Sequence, residues 1–215
     1  MKVKTKQLTT LSMLVAMAYV IGFYRVSFMG GAPFLTYDAK DVIIVLGGLM
    51  FGPIPALTMS VVLAFLEMVT HSSTGLWGMI MNALSSAAFA CPAAYIYQKS
   101  RNMKGAFLGL LVGIITATLT MLLWNYLIVP LYTGWAREAV VPLLSRVFLP
   151  FNLVKTTLNA ALVILVYKPV TMALKSAKLY APAQPTAAKG KLNIGVMLVA
   201  AFVVLSLVLL IIVGI

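Results

Sequence analysis

Charge is what this chain has least of. Only 9% of its 215 residues are charged, against roughly 25% in soluble domains, which excludes an ordinary soluble fold. Acid is the scarcer sign, with four Asp and Glu against sixteen Lys and Arg. Ion-coupled transporters usually carry several intramembrane carboxylates or inverted repeats; here Glu67 alone reads as one, and no internal repeat is evident. The single cysteine, Cys91, excludes an internal disulfide and a multi-cysteine metal site and is most simply packing. The lone His71 has no evident partner for metal or triad chemistry and reads as a loop residue at the membrane edge. No GxxxxGK[ST] phosphate loop is present, so the chain does not hydrolyse ATP alone, and HExxH and GxSxG are also missing. These absences argue against an enzyme or a self-powered pump, and they supply no catalytic residue, metal site or cofactor.

Apolar residues dominate instead: 62% of the chain, with a mean hydropathy of +1.05. Stretches of about 20 such residues span a bilayer as helices, so the fold class is an all-α integral membrane bundle. The patterning predicts helices over about 8–29, 39–51, 53–70, 76–98, 105–128 and 147–175. The second has Asp38 as its expected N-cap and Gly52-Pro53 as its stop. At 1.5 Å per residue it is roughly 20 Å long, too short for a hydrocarbon core of about 30 Å. The preceding glycine- and aromatic-rich loop, MGGAPFLTY, is expected to cover its outer end. Residues 1–178 thus form a six-helix domain, 179–191 a linker, and 192–215 an uncharged run that is a candidate seventh, C-terminal span. The basic start, MKVKTKQLTTLSML, resembles a signal peptide, but no small-residue cleavage site precedes the next loop, so it reads as a retained first helix. The net charge of +12 reflects basic cytoplasmic loops rather than nucleic-acid binding. With the N-terminus inside, eleven basic residues fall on the cytoplasmic side and five do not.

The informative feature is a polar stripe in LPFNLVKTTLNAALVILVY. Asn152, Lys155, Thr156 and Asn159 stand at i, i+3, i+4 and i+7 and share one helix face. A lysine in hydrocarbon costs roughly 2.5–3.5 kcal/mol on insertion scales, so this face should turn toward other helices or a cavity. The simpler reading, Lys155 snorkelling to the headgroups, leaves both asparagines unexplained. Asn125 stands between Trp124 and Tyr126 before the outer loop, and Asn82, Ser85 and Ser86 share a face of the fourth helix. Amides, one lysine and nearby aromatics suit a flat, uncharged heteroaromatic ligand. The competing reading is that the amides join helices and the aromatics form an interfacial belt. In the first helix, Ser12 and Ala16 form one small-xxx-small pair, and Ala18 and Gly22 another.

The segments FLTYDAKDVIIVLGGLMFGPIPAL, NYLIVPLYTG and LPFNLVKTTLNA resemble the substrate-binding (S) components of energy-coupling factor (ECF) transporters, the vitamin-uptake relatives of ABC importers, and among them the riboflavin-specific ones. The resemblance covers most of residues 8–178. It implies a six-helix S-component bundle in a prokaryotic plasma membrane, with riboflavin bound in the outer half as cargo, not cofactor. Asn125, Asn152 and Lys155 would hydrogen-bond the vitamin, and Leu35, Thr36, Tyr37 and Asp38 would close over it, with Asn82 nearby. Ser12, Ala16 and Ala18 would contact the transmembrane coupling subunit, and two cytoplasmic ATPases would power release. The alternatives are an S component for another vitamin such as thiamine, and a stand-alone carrier or structural membrane subunit.

Overall fold

The computed structural model describes residues 5–27 and 35–180, which are helical apart from short connections and one isolated β-bridge between Val26 and Tyr37. The helices are α1 (Thr5–Ile21), α2 (Lys40–Phe51), α3 (Pro53–Thr70), α4 (Gly75–Ser100), α5 (Met103–Thr133), α6 (Arg137–Leu143) and α7 (Leu149–Ser176). A π-helical turn, Leu144–Phe148, joins α6 to α7 without a break. The expected all-α bundle of six principal helices is therefore present, with α6 as an extension ahead of the last. Among the described residues, four stretches are long and apolar enough to cross a membrane: α3, α4, α5 and the run from α6 through α7. The proposed linker beyond Tyr180 and the apolar run 192–215 lie outside the described residues.

The short second helix organises the bundle. Residues 40–50 of α2 are all buried, and α1, α3, α4 and α7 pack around it. A helix apolar on every face is stable only when enclosed in this way. Gly52 ends it at φ 111°, a left-handed conformation that favours glycine, and Pro53 opens α3 at once. Asp38 is not the N-cap expected from the sequence. Ala39 takes that position and has no polar side chain to cap with; the Asp38 carboxylate stands beside two lysines described below. The first helix also ends earlier than hydropathy suggests, at Ile21 rather than near residue 29.

The most extensive helix pairing joins α4 to α5. Gly105, Gly109 and Gly113 lie on one face of α5, four residues apart, and let the backbones approach closely. A Cβ built on Gly109 would fall 2.7 Å from the Ala93 carbonyl oxygen, and one on Gly113 2.5 Å from that of Phe89. The same seam repairs a break in α4. Pro92 has no N–H for the carbonyl of Ala88 four residues earlier, and the Thr116 hydroxyl of α5 donates to that oxygen at 2.7 Å.

Candidate functional site

A cavity of about 170 Å³ lies between α3, α4, α5, α7 and the segment leading into α2. Seven of the eight ligand-binding residues expected from the sequence line it: Leu35, Thr36, Asp38, Asn82, Asn125, Asn152 and Lys155. Tyr37 is not among the lining residues. Its hydroxyl donates instead to Asn159 Oδ1 at 3.0 Å, tying the segment before α2 to α7. Burial lifts the Tyr37 phenol above its ordinary pKa, with Asp38 and Asp41 adding to the effect, so it stays a neutral donor.

The polar stripe of α7 faces inward as its spacing requires: Asn152, Lys155, Thr156 and Asn159 are all buried. Lys155 is 6% exposed, which overturns the snorkelling alternative. Asn152 donates from Nδ2 to Phe148 O at 2.7 Å, and Asn125 to Met121 O at 2.6 Å. Each bond, made to the carbonyl four residues back, fixes an amide against its own helix where it lines the cavity. Met79, Met81, Met121, Phe151 and Tyr132 supply apolar and aromatic walls. Methionine sulfur and aromatic rings are both suited to a flat π-system.

A network of charges links these walls. Lys40 Nζ donates to both oxygens of Glu67, at 2.9 and 2.6 Å. Asn82 Nδ2 donates to Glu67 Oε2 at 3.2 Å, and Arg25 Nη2 stands 3.6 Å from Oε1. Glu67 therefore joins α2, α3, α4 and the end of the α1 segment. Lys155 Nζ stands 3.7 Å from carboxylate oxygens of both Asp38 and Asp41, and Ser86 Oγ donates to the other oxygen of Asp41. Three cations thus face three carboxylates, so the network is neutral in sum. Such pairing is what burial of charge demands. At Asp38, burial alone would raise the pKa; Lys155, Lys40 and Arg25, with a hydrogen bond from the Lys40 backbone N–H, outweigh it and hold the carboxyl below its ordinary value.

Sequence reasoning treated Glu67 as a weak intramembrane carboxylate and gave Lys40, Arg25 and Asp41 no place in the site. The available signal was DAKD itself, three charges leading into a helix that is otherwise wholly apolar. His71, expected to be a loop residue at the membrane edge, caps the C-terminus of α3. Its Nε2 lies 2.7 Å from Arg25 Nη2, and its ring packs on Phe23 with centroids 4.7 Å apart. Partial burial, then the Arg25 charge, lowers its pKa and favours the neutral ring that accepts from arginine. Of the small residues in α1, Ser12 and Ala16 are exposed, whereas Ala18 is fully buried against the bundle core and presents no surface to a partner.

Comparison with known proteins places this architecture. The family model described as ECF transporter, substrate-specific component, matches residues 6–167. The riboflavin transporter FmnP of Bacillus subtilis is 28% identical over 189 residues, covering 82% of this chain and all of that protein. The riboflavin transporter RibU of Staphylococcus aureus is 30% identical, covering 80% of this chain and 94% of its own. A solved structure of the S component of a bacterial ECF transporter superposes with a TM-score of 0.69 at 31% identity, covering 79% of this chain and 98% of that one. The matched family and these relatives are transporter components, so the chain is a transport component and not an enzyme. It belongs to the substrate-specific components of ECF transporters.

Proposed function

We propose that this chain captures riboflavin in the cavity bounded by Asn125, Asn152 and Lys155 and delivers it inward when coupled to an ECF energising module. The observation that carries the proposal is the convergence of amides from α5 and α7 with Lys155 and the Leu35–Asp38 segment on one cavity. The two relatives named as riboflavin transporters favour this vitamin over thiamine. The amides can match the donors and acceptors of a flavin ring or ribityl chain, while Met121, Phe151 and Tyr132 contact its faces.

The coupling partners are a transmembrane subunit and two cytoplasmic ATPases, consistent with the missing phosphate loop. Ser12 and Ala16, exposed on α1, are the residues we assign to that transmembrane contact. The basic bias of the predicted cytoplasmic loops supports an inside N-terminus in a prokaryotic plasma membrane, with the cavity toward the exterior.

Titration of the detergent-purified protein against riboflavin, read by quenching of flavin fluorescence, tests the site. Asn152→Ala and Lys155→Ala should each weaken binding by about 1–3 kcal/mol, the cost of leaving a buried ligand group or carboxylate without its partner. Wild-type affinity in both variants would contradict the assignment.

A further inference from the structure

The three buried carboxylates around the cavity differ in one respect. Both oxygens of Glu67 accept hydrogen bonds from Lys40, and Asp41 accepts from Ser86. Asp38 is 3% exposed and lines the cavity, yet its Oδ1 makes no hydrogen bond among the described residues. The other oxygen, Oδ2, lies 3.6 Å from Lys40 Nζ and 3.7 Å from Lys155 Nζ. Those distances suit ion pairing and exceed the 2.7–2.9 Å of a charge-assisted hydrogen bond. A carboxylate can accept at about four positions, and an unpaired buried acceptor is costly.

We infer that Asp38 Oδ1 is a specificity-determining acceptor that reads an N–H or O–H donor on the ligand. The two lysines keep the carboxylate ionised and in place, and Glu67 is a positioning residue that holds Lys40. The inference rests on the riboflavin reading and deepens it. Riboflavin carries two kinds of donor, an imide N–H on the ring and hydroxyls on the ribityl chain. A ligand of the same shape without the matching donor would leave Oδ1 unpaired, and discrimination by an unpaired buried polar group is severe.

The test is a cycle between ligand and protein on the full chain in detergent. Riboflavin, 3-methylriboflavin (no imide N–H) and lumiflavin (no hydroxyls) are titrated against wild type, Asp38→Ala and Asp38→Asn. One analogue is expected to bind wild type at least tenfold more weakly than riboflavin, and its identity names the donor. In Asp38→Ala that deficit should shrink below threefold, while riboflavin itself weakens at least tenfold. If the alanine variant does not fold, Asp38→Asn, which keeps an acceptor oxygen without the charge, should show a reduced deficit. Analogues that both match riboflavin in wild type, or a deficit undiminished in the Asp38 variants, would overturn the inference while leaving the flavin site standing. Failure of wild type to bind riboflavin at all would overturn the ligand assignment and this inference together.

Discussion

Glu67→Ala is expected to destabilise the protein by about 3–5 kcal/mol, the usual cost of removing one member of a buried ion pair. The reason lies in what is left behind. Lys40 is 2% exposed, and Glu67 accepts both of its short hydrogen bonds, at 2.9 and 2.6 Å. Without Glu67 the ammonium retains, among the described residues, only Asp38 at 3.6 Å, and the network carries one uncompensated positive charge in a low-dielectric setting. Arg25 and Asn82 lose their shared partner as well, so the end of the α1 segment and α4 both loosen around the cavity. Glu67→Gln should be nearly as harmful, because it keeps an amide for Asn82 but not the charge for Lys40. Pairing it with Lys40→Met should recover much of the loss, since replacing both members of a buried pair by groups of similar volume is often close to neutral. Size-exclusion monodispersity and thermal midpoint in detergent measure this. Single variants as stable as wild type would show that the pair does not hold these helices.

Gly113→Ala is expected to cost about 1–3 kcal/mol by overpacking, with Gly113→Leu losing the fold altogether. A single methyl is enough because it meets backbone. The new Cβ would fall 2.5 Å from Phe89 O and 3.0 Å from Phe89 Cδ2, and a helical carbonyl cannot swing aside like the end of a flexible side chain. Without a hydrophobic drive between helices in lipid, close backbone approach is a main source of association. The effect should reach function, since α4 brings Asn82 and Ser85 to one side of the cavity and α5 brings Met121 and Asn125 to another. Riboflavin affinity and thermal midpoint should therefore fall together in Gly113→Ala. Leu119→Ala, on the same helix but at an exposed position, should leave both near wild type.

The legible parts of this protein are those set by local pattern. Burial of Asn152, Lys155 and Asn159 followed from helical spacing alone, because a polar face in an apolar helix must turn inward. The short α2 followed from Asp38 before it and Gly52-Pro53 after it, although Ala39 and not Asp38 takes the N-cap position. The end of α1 did not, because the apolar run continues past Ile21 and hydropathy does not record where a chain turns. Helix α6 was missed because the last helix was expected to begin only near residue 147. The chain accommodates Pro142 inside α6 and Pro150 in the first turn of α7, with a π-helical turn between them. The ion pairs were beyond reach for a different reason: Lys40 meets Glu67 across 27 residues, and Lys155 meets Asp38 across 117. Only the packing of α2, α3 and α7 brings those charges together. The glycine seam of α5 was legible in principle, since Gly105, Gly109 and Gly113 stand four apart. The weaker small-residue pattern of α1 drew the attention instead.

The most direct test of the central claim is the absorbance spectrum of the wild-type protein after detergent purification and extensive washing, with no flavin added. The account predicts a yellow preparation with a flavin spectrum that survives washing, and loss of that colour in Asn152→Ala and Lys155→Ala preparations that remain folded. A colourless protein that also fails to quench added riboflavin fluorescence would contradict it, leaving a member of this family whose cavity serves a different ligand.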